Sequence, residues 1–147
     1  MSVLLIAEHN NKELRPFTLN AATAASKIDG DVHVLVLGSK SDSVAKAASE
    51  ISVVKKVIHV DNEVFENFTA ENYTSSIVKH ADAYSHIICS ANTFGKNLMP
   101  RIAALLDVSH EIDTTRRVIH QRAGNSCCSG NRYGRRAHHC VVQFAHR

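Results

Sequence analysis

The segment Val3-Leu4-Leu5-Ile6-Ala7 is a continuous apolar run that ends at Glu8-His9-Asn10-Asn11. Such a run is typical of a β-strand that is buried on both faces, as in a parallel sheet. A short amphipathic helix is predicted from Thr18 to Ile28, with Thr18 as its N-cap and Gly30 beyond its end. The apolar residues of this helix lie three apart along one side: Leu19, Ala22, Ala25 and Ile28.

The same order of strand and helix then repeats three times. The further predicted strands are 32–37, 56–60 and 85–91, and the further predicted helices are 42–51, about 69–83 and one that ends at Leu106 after a loop over 92–97. Pro100 is expected in the first turn of that last helix, where proline is tolerated. Four alternations favour a doubly wound α/β domain over residues 1 to 109, with a mainly parallel open sheet and helices on both faces. Ligands of such sheets bind outside the carboxyl ends of the strands.

Residues 110 to 147 have a different composition. Residues 1 to 109 contain all eight lysines and carry a formal net charge of −2, whereas residues 110 to 147 contain seven arginines, no lysine and a net charge of +5. The sequence pI of 8.8 therefore reflects this tail, and we predict no specific binding of nucleic acid. The tail has little hydrophobic periodicity apart from Val118-Ile119 and Val141-Val142, so we expect it to be poorly ordered.

The sequence contains no common phosphate-binding or metal-binding motif. Gly95-Lys96 precedes a helix, but Ser90 and Asn97 stand where a P-loop requires glycine and a hydroxyl residue. No Gly-x-Gly-x-x-Gly pattern follows the first strand. The adjacent residues Cys127-Cys128 and the run His138-His139-Cys140 lack the two-to-four spacing of structural zinc ligands. We expect no metal, no catalytic site and no enzymatic activity.

Four histidines in the first part of the chain bear on the choice of site. His33, His59 and His86 lie in predicted strands that we expect side by side, where a histidine is typically packed and hydrogen-bonded. His9 follows the first strand, at the edge where ligands bind. The sequence assigns His9 no partner acid and no nucleophile.

Four segments of residues 1 to about 109 together resemble the start of the electron transfer flavoprotein alpha subunit. They are Val3–His9, Leu19–Ala25, Asp31–Val36 and Thr93–Val108. The most specific parts in combination are Ile6-Ala7-Glu8-His9 and Phe94-Gly95-Lys96-Asn97-x-x-Pro100-Arg101.

The resemblance implies a heterodimer with a beta subunit that carries FAD and shuttles electrons. Electrons would come from acyl-CoA-type dehydrogenases of fatty acid β-oxidation and pass to a membrane quinone oxidoreductase. The implied fold is Rossmann-like, of the adenine nucleotide alpha hydrolase type. In this family a second alpha-subunit domain supplies most FAD contacts and the beta subunit holds AMP, so no cofactor-binding residue is transferred to residues 1 to 109.

The resemblance also suggests a contact site for the beta subunit or for a second domain. We predict that it consists of the stretch between strand and helix, together with one nearby arginine. These candidate contact residues are Thr93, Phe94, Gly95, Lys96, Asn97 and Arg101. The alternative interpretation is a helix start fixed by Gly95 and Pro100.

Beyond Val108 the sequence departs from the family, since Thr114-Thr115-Arg116-Arg117 replaces an apolar continuation. We therefore expect the FAD domain to be absent and hypothesise a change of reading frame near codon 110. Two other functions remain open: a stand-alone nucleotide-binding α/β module and a nonfunctional truncated remnant. The chain has no basic leader and no apolar run of about 20 residues, which predicts no membrane insertion and a location in the bacterial cytoplasm, or in the mitochondrial matrix if the source is eukaryotic.

Overall fold

The computed structural model of the chain describes residues 2–108, 110–113 and 139–143. Its strands are β1 (Val3–Ile6), β2 (Val32–Gly38), β3 (Val54–Asp61), β4 (His86–Ser90), β5 (His110–Asp113) and β6 (His139–Gln143). Its helices are α1 (Pro16–Ile28), α2 (Asp42–Ser49), α3 (Ala70–Ala81) and α4 (Thr93–Leu106), with a short 3-10 helix at Glu63–Phe65. None of these helices is both long enough and apolar enough to cross a membrane.

All six strands form one sheet in the order β3-β2-β1-β4-β6-β5. β1 pairs in parallel with β2 on one side and with β4 on the other, and β2 pairs in parallel with β3. The chain adds β2 and β3 on one side of β1 and then crosses to the other side for β4. This reversal is a topological switch point between β1 and β4. The predicted doubly wound, mainly parallel sheet is confirmed.

Helices cover both faces of this sheet, as predicted. Successive residues of a strand point to opposite faces, so Val3 and Leu5 pack with α1 and α2, whereas Leu4 and Ile6 pack with α3 and α4. All four side chains are at most 1% exposed. Burial of both faces of β1 explains why the strand is a continuous apolar run instead of an alternating one.

Helix α1 begins earlier than the sequence pattern predicts. Pro16 occupies the start of the helix, where its fixed φ and missing N–H are favourable. Thr18 is therefore not the N-cap. It is buried inside α1, and its hydroxyl bonds to the main chain of Glu8. Leu19, predicted to face inward, is 48% exposed, because alanines fill the face of α1 that packs on the sheet.

Helix α4 also begins earlier, at Thr93, so the predicted loop over 92–97 is already helical. The N-cap is Asn92, whose side-chain oxygen accepts a hydrogen bond from the Gly95 amide. Pro100 consequently lies inside the helix and not in its first turn. Proline has no N–H to offer the carbonyl of Lys96. Both Lys96 and Pro100 are exposed, so water can bond that carbonyl instead.

The tail contributes two strands that the sequence analysis did not predict. β6 pairs antiparallel with β4, and β5 pairs antiparallel with β6. The physical reason is that a parallel sheet ending at β4 presents a row of unpaired N–H and C=O groups, which can template further strands. Residues 110–113 and 139–143 of the tail are thus paired in the sheet. The poor order expected for the tail as a whole stays a prediction, and its other residues lie outside the described part of the chain.

Candidate functional site

The switch point between β1 and β4 opens into a cleft of about 380 Å³ at the carboxyl ends of the strands. This is the position where doubly wound sheets hold their ligands. The residues that line the cleft are of three kinds: Glu8, His9 and Arg15 after β1; the aromatic residues Phe68, Tyr73 and Phe94; and Thr93 and Asn97 on α4.

Glu8 connects the end of β1 to the end of β4. Its Oε2 atom accepts a hydrogen bond from Ser90 Oγ at 2.8 Å and a second, short one from Asn92 Nδ2. Ser90 is 1% exposed, and Asn92 in turn caps α4 through the Gly95 amide at 3.2 Å. The carboxylate therefore fixes the start of α4 relative to the central strand.

The main chain of Glu8 is fixed as well. Its amide donates to Thr18 Oγ1 at 3.1 Å, and the Thr18 hydroxyl donates to the Glu8 carbonyl at 3.3 Å. The amide of Arg15 donates to the same carbonyl at 2.8 Å. Glu8 thus links β1, α1 and α4 through one residue.

His9 lies at the wall of the cleft, in surroundings that favour its neutral form. Burial lowers its pKa from the ordinary value, with a smaller lowering from nearby His59, and the Leu37 carbonyl and Glu8 only partly oppose these effects. Nδ1 accepts a hydrogen bond from the Asn11 amide at 3.0 Å, so Nε2 carries the proton of the neutral ring. Nε2 is buried, and the Leu37 carbonyl favours its protonated form without forming a hydrogen bond of good geometry with it. The structure, like the sequence, assigns His9 no nucleophile.

The loops after β1, β2 and β3 are cross-linked to each other. Asn11, in a left-handed conformation with φ 65°, donates from Nδ2 to the Glu66 carbonyl at 2.8 Å and accepts at Oδ1 from the Ser39 amide at 3.2 Å. Asp61 Oδ1 accepts from the Lys40 amide at 2.9 Å. Polar groups at the strand ends therefore bond one another.

An aromatic cluster forms the other wall of the cleft. Tyr73 contacts Phe65, Phe68 and Phe94 with ring centroids 5.4, 5.0 and 6.0 Å apart, mostly edge to face. Its hydroxyl donates to the Leu37 carbonyl at 2.6 Å, and burial raises the pKa of Tyr73 to about 12. Phe68 is 40% exposed and packs on Phe94. The cluster therefore joins the buried core to an exposed apolar surface.

The structure separates the six predicted contact residues into groups. Thr93, Phe94 and Asn97 line the cleft, whereas Lys96 is exposed outside it. Arg101 forms an ion pair with Glu71 on α3 at 2.8 Å.

Gly95, the remaining predicted contact residue, is buried and therefore offers no surface for a partner. A Cβ atom added to it would lie 1.9 Å from the Ser90 carbonyl oxygen. Glycine is thus required where α4 meets β4.

The histidines predicted to lie on neighbouring strands are placed differently. β1 separates β2 from β4, so His33 and His86 are not side by side, which corrects that expectation. His33 bonds the Tyr84 hydroxyl at 3.0 Å and lies 3.3 Å from Asp31. His59 bonds Ser41 Oγ at 2.8 Å. Of the zinc-type residues in the tail, 127, 128 and 138 lie outside the described residues.

The loop after β1 lacks the features of a Rossmann-type dinucleotide site. Such a site holds the diphosphate with free backbone amides at a glycine-rich turn, and this loop contains no glycine. In that loop the amides of Asn11, Lys12 and Glu13 already donate to the side chains of His9 and Asn10. The described part of the chain thus offers no cradle for a diphosphate at this turn.

These features define a doubly wound α/β domain in which hydrogen bonds of Glu8 connect β1, α1 and α4 at the switch point. A family model for the electron transfer flavoprotein domain matches residues 3–121, so the chain belongs to the electron transfer flavoprotein family. The match continues past residue 109, where the resemblance was expected to end, and it includes β5.

Similar proteins in bacteria and eukaryotes are alpha subunits. The chain is 44% identical over 134 residues to the electron transfer flavoprotein subunit alpha of Pseudomonas aeruginosa, covering 86% of this chain and 43% of that protein. It is 44% identical over 121 residues to the mitochondrial subunit alpha of Dictyostelium discoideum, covering 77% and 34%. A probable mitochondrial subunit alpha of Caenorhabditis elegans is 37% identical over 116 residues, covering 78% and 35%. The chain thus spans less than half the length of these relatives.

Proposed function

We propose that this chain is the N-terminal part of an electron transfer flavoprotein alpha subunit and works in a heterodimer with a beta subunit. The observation that carries this proposal is the family match over residues 3–121, which coincides with the doubly wound domain. The complete complex would carry electrons from acyl-CoA-type dehydrogenases of fatty acid β-oxidation to a quinone oxidoreductase. The named relatives include one bacterial and two mitochondrial proteins, which supports a location in the cytoplasm of a bacterium or in the mitochondrial matrix.

Within such a complex, the domain would be a scaffold and not a site of chemistry. The carboxylate of Glu8 is used to fix α4, and the polar side chains of Asn11 and Asp61 fix neighbouring loops. An electron carrier needs a rigid surface for its partner subunit, which these bonds provide. We propose no enzymatic activity for the chain.

FAD would be held by residues outside 1–109. The occupied amides in the loop after β1 support this proposal. The test is to purify the 147-residue chain in the presence of FAD, alone and with a beta subunit, and to measure absorbance near 450 nm. We expect a complex of the two chains without tightly held flavin. The full-length Pseudomonas aeruginosa subunit with its own beta subunit is the positive control, and near-stoichiometric flavin on the 147-residue chain alone would contradict the proposal.

The contact surface for the beta subunit or for a further alpha-subunit domain would include the exposed residues at the start of α4. Lys96 and Arg101 extend from exposed positions on this helix. Replacing both by glutamate should weaken copurification with the beta subunit, because it reverses the charge of the surface. Lys79→Glu, an exposed change on α3, is the matched control. Equal copurification of all variants would exclude these residues from the subunit interface.

A stand-alone nucleotide-binding module is the second candidate, and the cleft at the switch point is the observation that favours it. Its aromatic wall could stack a base, and Arg15 could contact a phosphate. ATP or AMP at millimolar concentration should then raise the melting temperature of the chain. A nonfunctional remnant would show neither this shift nor copurification with a beta subunit.

We also keep the hypothesis that a change of reading frame produced the tail. It is supported by the abrupt exchange of lysine for arginine after residue 109. Sequencing the gene tests it: the next frame should encode an apolar continuation that is similar to the alpha subunits. A next frame without such a continuation would disprove the hypothesis.

A further inference from the structure

A cluster of metal-ligating side chains lies at the end of β3, outside the cleft. One ligand atom each from Asp42, His59 and Asp61 lie within 4.8 Å of one another. His59 and Asp61 are two residues apart on β3, so their side chains leave the same face of the strand. Asp42 is the first residue of α2, which packs against β3. The crossover from β2 therefore brings the third side chain to the pair.

The imidazole of His59 is already oriented for such a role. Its Nε2 is hydrogen-bonded at 2.8 Å to Ser41 Oγ, and Ser41 is fully buried. Its Nδ1 faces Asp42 Oδ1 at 3.8 Å, a distance too long for a hydrogen bond. Histidines that bind metals typically hold the other ring nitrogen in a hydrogen bond, which fixes the ring. Nδ1 is thus the nitrogen left for a ligand.

The backbone around the cluster supports this orientation. Gly38 pairs with Asp61 across β2 and β3, and a Cβ atom on Gly38 would lie 2.5 Å from Ser41 Oγ. The missing side chain therefore gives Ser41 its place against His59. The Lys40 amide binds one oxygen of Asp61 at 2.9 Å, so the carboxylate is oriented through that oxygen and the other can serve a ligand.

We propose that Asp42, His59 and Asp61 bind one divalent transition-metal ion, with His59 Nδ1 and one oxygen of each carboxylate as ligands. An ion about 2.0 to 2.2 Å from each ligand holds two ligands up to about 4.4 Å apart, and the 3.8 Å gap between His59 and Asp42 lies in this range. The Asp42 side chain is exposed, so its rotation closes the remaining distance while the Lys40 amide holds Asp61 in place. One imidazole and two carboxylates suit Zn²⁺ or Co²⁺, with water at the open positions.

This site differs from the zinc-type cysteines and histidines of the tail, and it goes beyond the electron-carrier role. Two carboxylates neutralise the charge of a divalent cation. An ion pair between Asp42 and His59 would need only one of them, so it would not account for the second carboxylate, Asp61. The sequence analysis expected no metal, because Asp42 and His59 are 17 positions apart and only the fold brings them together.

The test uses the full 147-residue chain after dialysis against a chelator. Zn²⁺ is titrated by calorimetry, and Co²⁺ is followed by its visible absorption. We expect one ion per chain, bound by nitrogen and oxygen without the strong near-ultraviolet band of cobalt–thiolate bonds. His59→Gln should abolish this binding, whereas His33→Gln, which changes a histidine beside Asp31 at the other end of the sheet, should leave it unchanged.

Two further variants separate a ligand role from general damage to the fold. Asp61→Asn removes one exposed ligand, and circular dichroism checks that the variant is folded. Ser41→Ala keeps all three ligands but frees the His59 ring, so affinity should fall about 10- to 100-fold. Equal Zn²⁺ and Co²⁺ binding by wild type, His59→Gln and Asp61→Asn would mean that the ion is held elsewhere and would overturn the proposal. No measurable binding by the wild-type chain would overturn it as well.

Discussion

The Glu8 carboxylate and the Asn92 side-chain amide are hydrogen-bonded to each other although 84 positions separate them in the chain. Glu8 follows the central strand β1 by two residues, and Asn92 caps α4, the helix after the parallel neighbour β4. The bond bridges the ends of β1 and β4 at the switch point, beside the cleft that Glu8 helps to line. The contact between the ends of β1 and β4 therefore depends on the Glu8 carboxylate, which accepts hydrogen bonds from Ser90 and Asn92.

Glu8→Ala should lower the free energy of unfolding by about 1 to 3 kcal/mol, because Ser90 and Asn92 lose the acceptor that their side chains share. Urea denaturation followed by circular dichroism measures this change. Glu13→Ala, an exposed change in the same loop, should alter the value by less than about 0.5 kcal/mol. Equal stabilities of the two variants would show that the Glu8 bonds contribute nothing.

Gly95→Ala should destabilise the chain by about 1 to 3 kcal/mol or more, since the new Cβ would meet the Ser90 carbonyl oxygen at 1.9 Å. The main chain of β4 cannot yield without disturbing its pairing with β1. The melting temperature should fall clearly, whereas Lys96→Ala on the exposed side of the same turn should change it little. A Gly95→Ala variant as stable as wild type would contradict the close approach of α4 to β4.

Tyr73 should ionise only at very high pH in the folded state. Burial raises its pKa to about 12, above the usual 10, so the folded state holds the phenolic proton more tightly than the unfolded state. The resulting stability is complete below about pH 10 and is lost as the pH rises toward 12. Absorbance at 295 nm follows the ionisation, and Tyr73→Phe should remove the latest phase.

His9 should make the domain less stable in acid. Its folded pKa lies below the unfolded value of 6.5, so the unfolded state takes up the proton first. Stability is then complete above about pH 6.5 and declines as the pH falls toward and through the folded pKa. The groups around the ring are Glu8, His59 and the Leu37 carbonyl.

Chemical denaturation at pH 7.5 and pH 5 tests this dependence. His9→Asn should reduce the difference in unfolding free energy between the two pH values, whereas His80→Gln, on the outer part of α3, should not. An NMR titration of the His9 ring gives the folded pKa directly. A value at or above 6.5 would disprove the prediction.

The hydrophobic pattern predicts the sheet well because burial on both faces leaves a strong signal. Val3 to Ile6 are all buried, as their continuous apolar run indicates. The helix starts are predicted less well, because Thr18 and Pro100 can each occupy two kinds of position. Threonine can cap a helix or bond the main chain of a neighbouring strand. Proline fits the first turn of a helix, and it is also tolerated further inside when water bonds the carbonyl that it leaves without a donor. Local sequence does not distinguish these positions.

The site was predictable only in part. The rule that parallel strands end at one edge brings Glu8 near the loop after β4, but which donors share its carboxylate depends on side-chain geometry. His59 and Asp61 share a face by their spacing alone, whereas Asp42 reaches them only through the crossover helix. The tail strands gave almost no signal, because the edge of β4 determines their pairing more than their own composition does.

β1 precedes both of its neighbours in the sheet, and at least one helix separates it from each of them along the chain. Val3 pairs with Val32 on one side and with His86 on the other. Both edges of this strand can therefore be paired only after residue 86 has been synthesised. Contacts between residues so distant in the chain slow folding, so the edges of β1 stay unpaired longer than those of a strand whose partners are local.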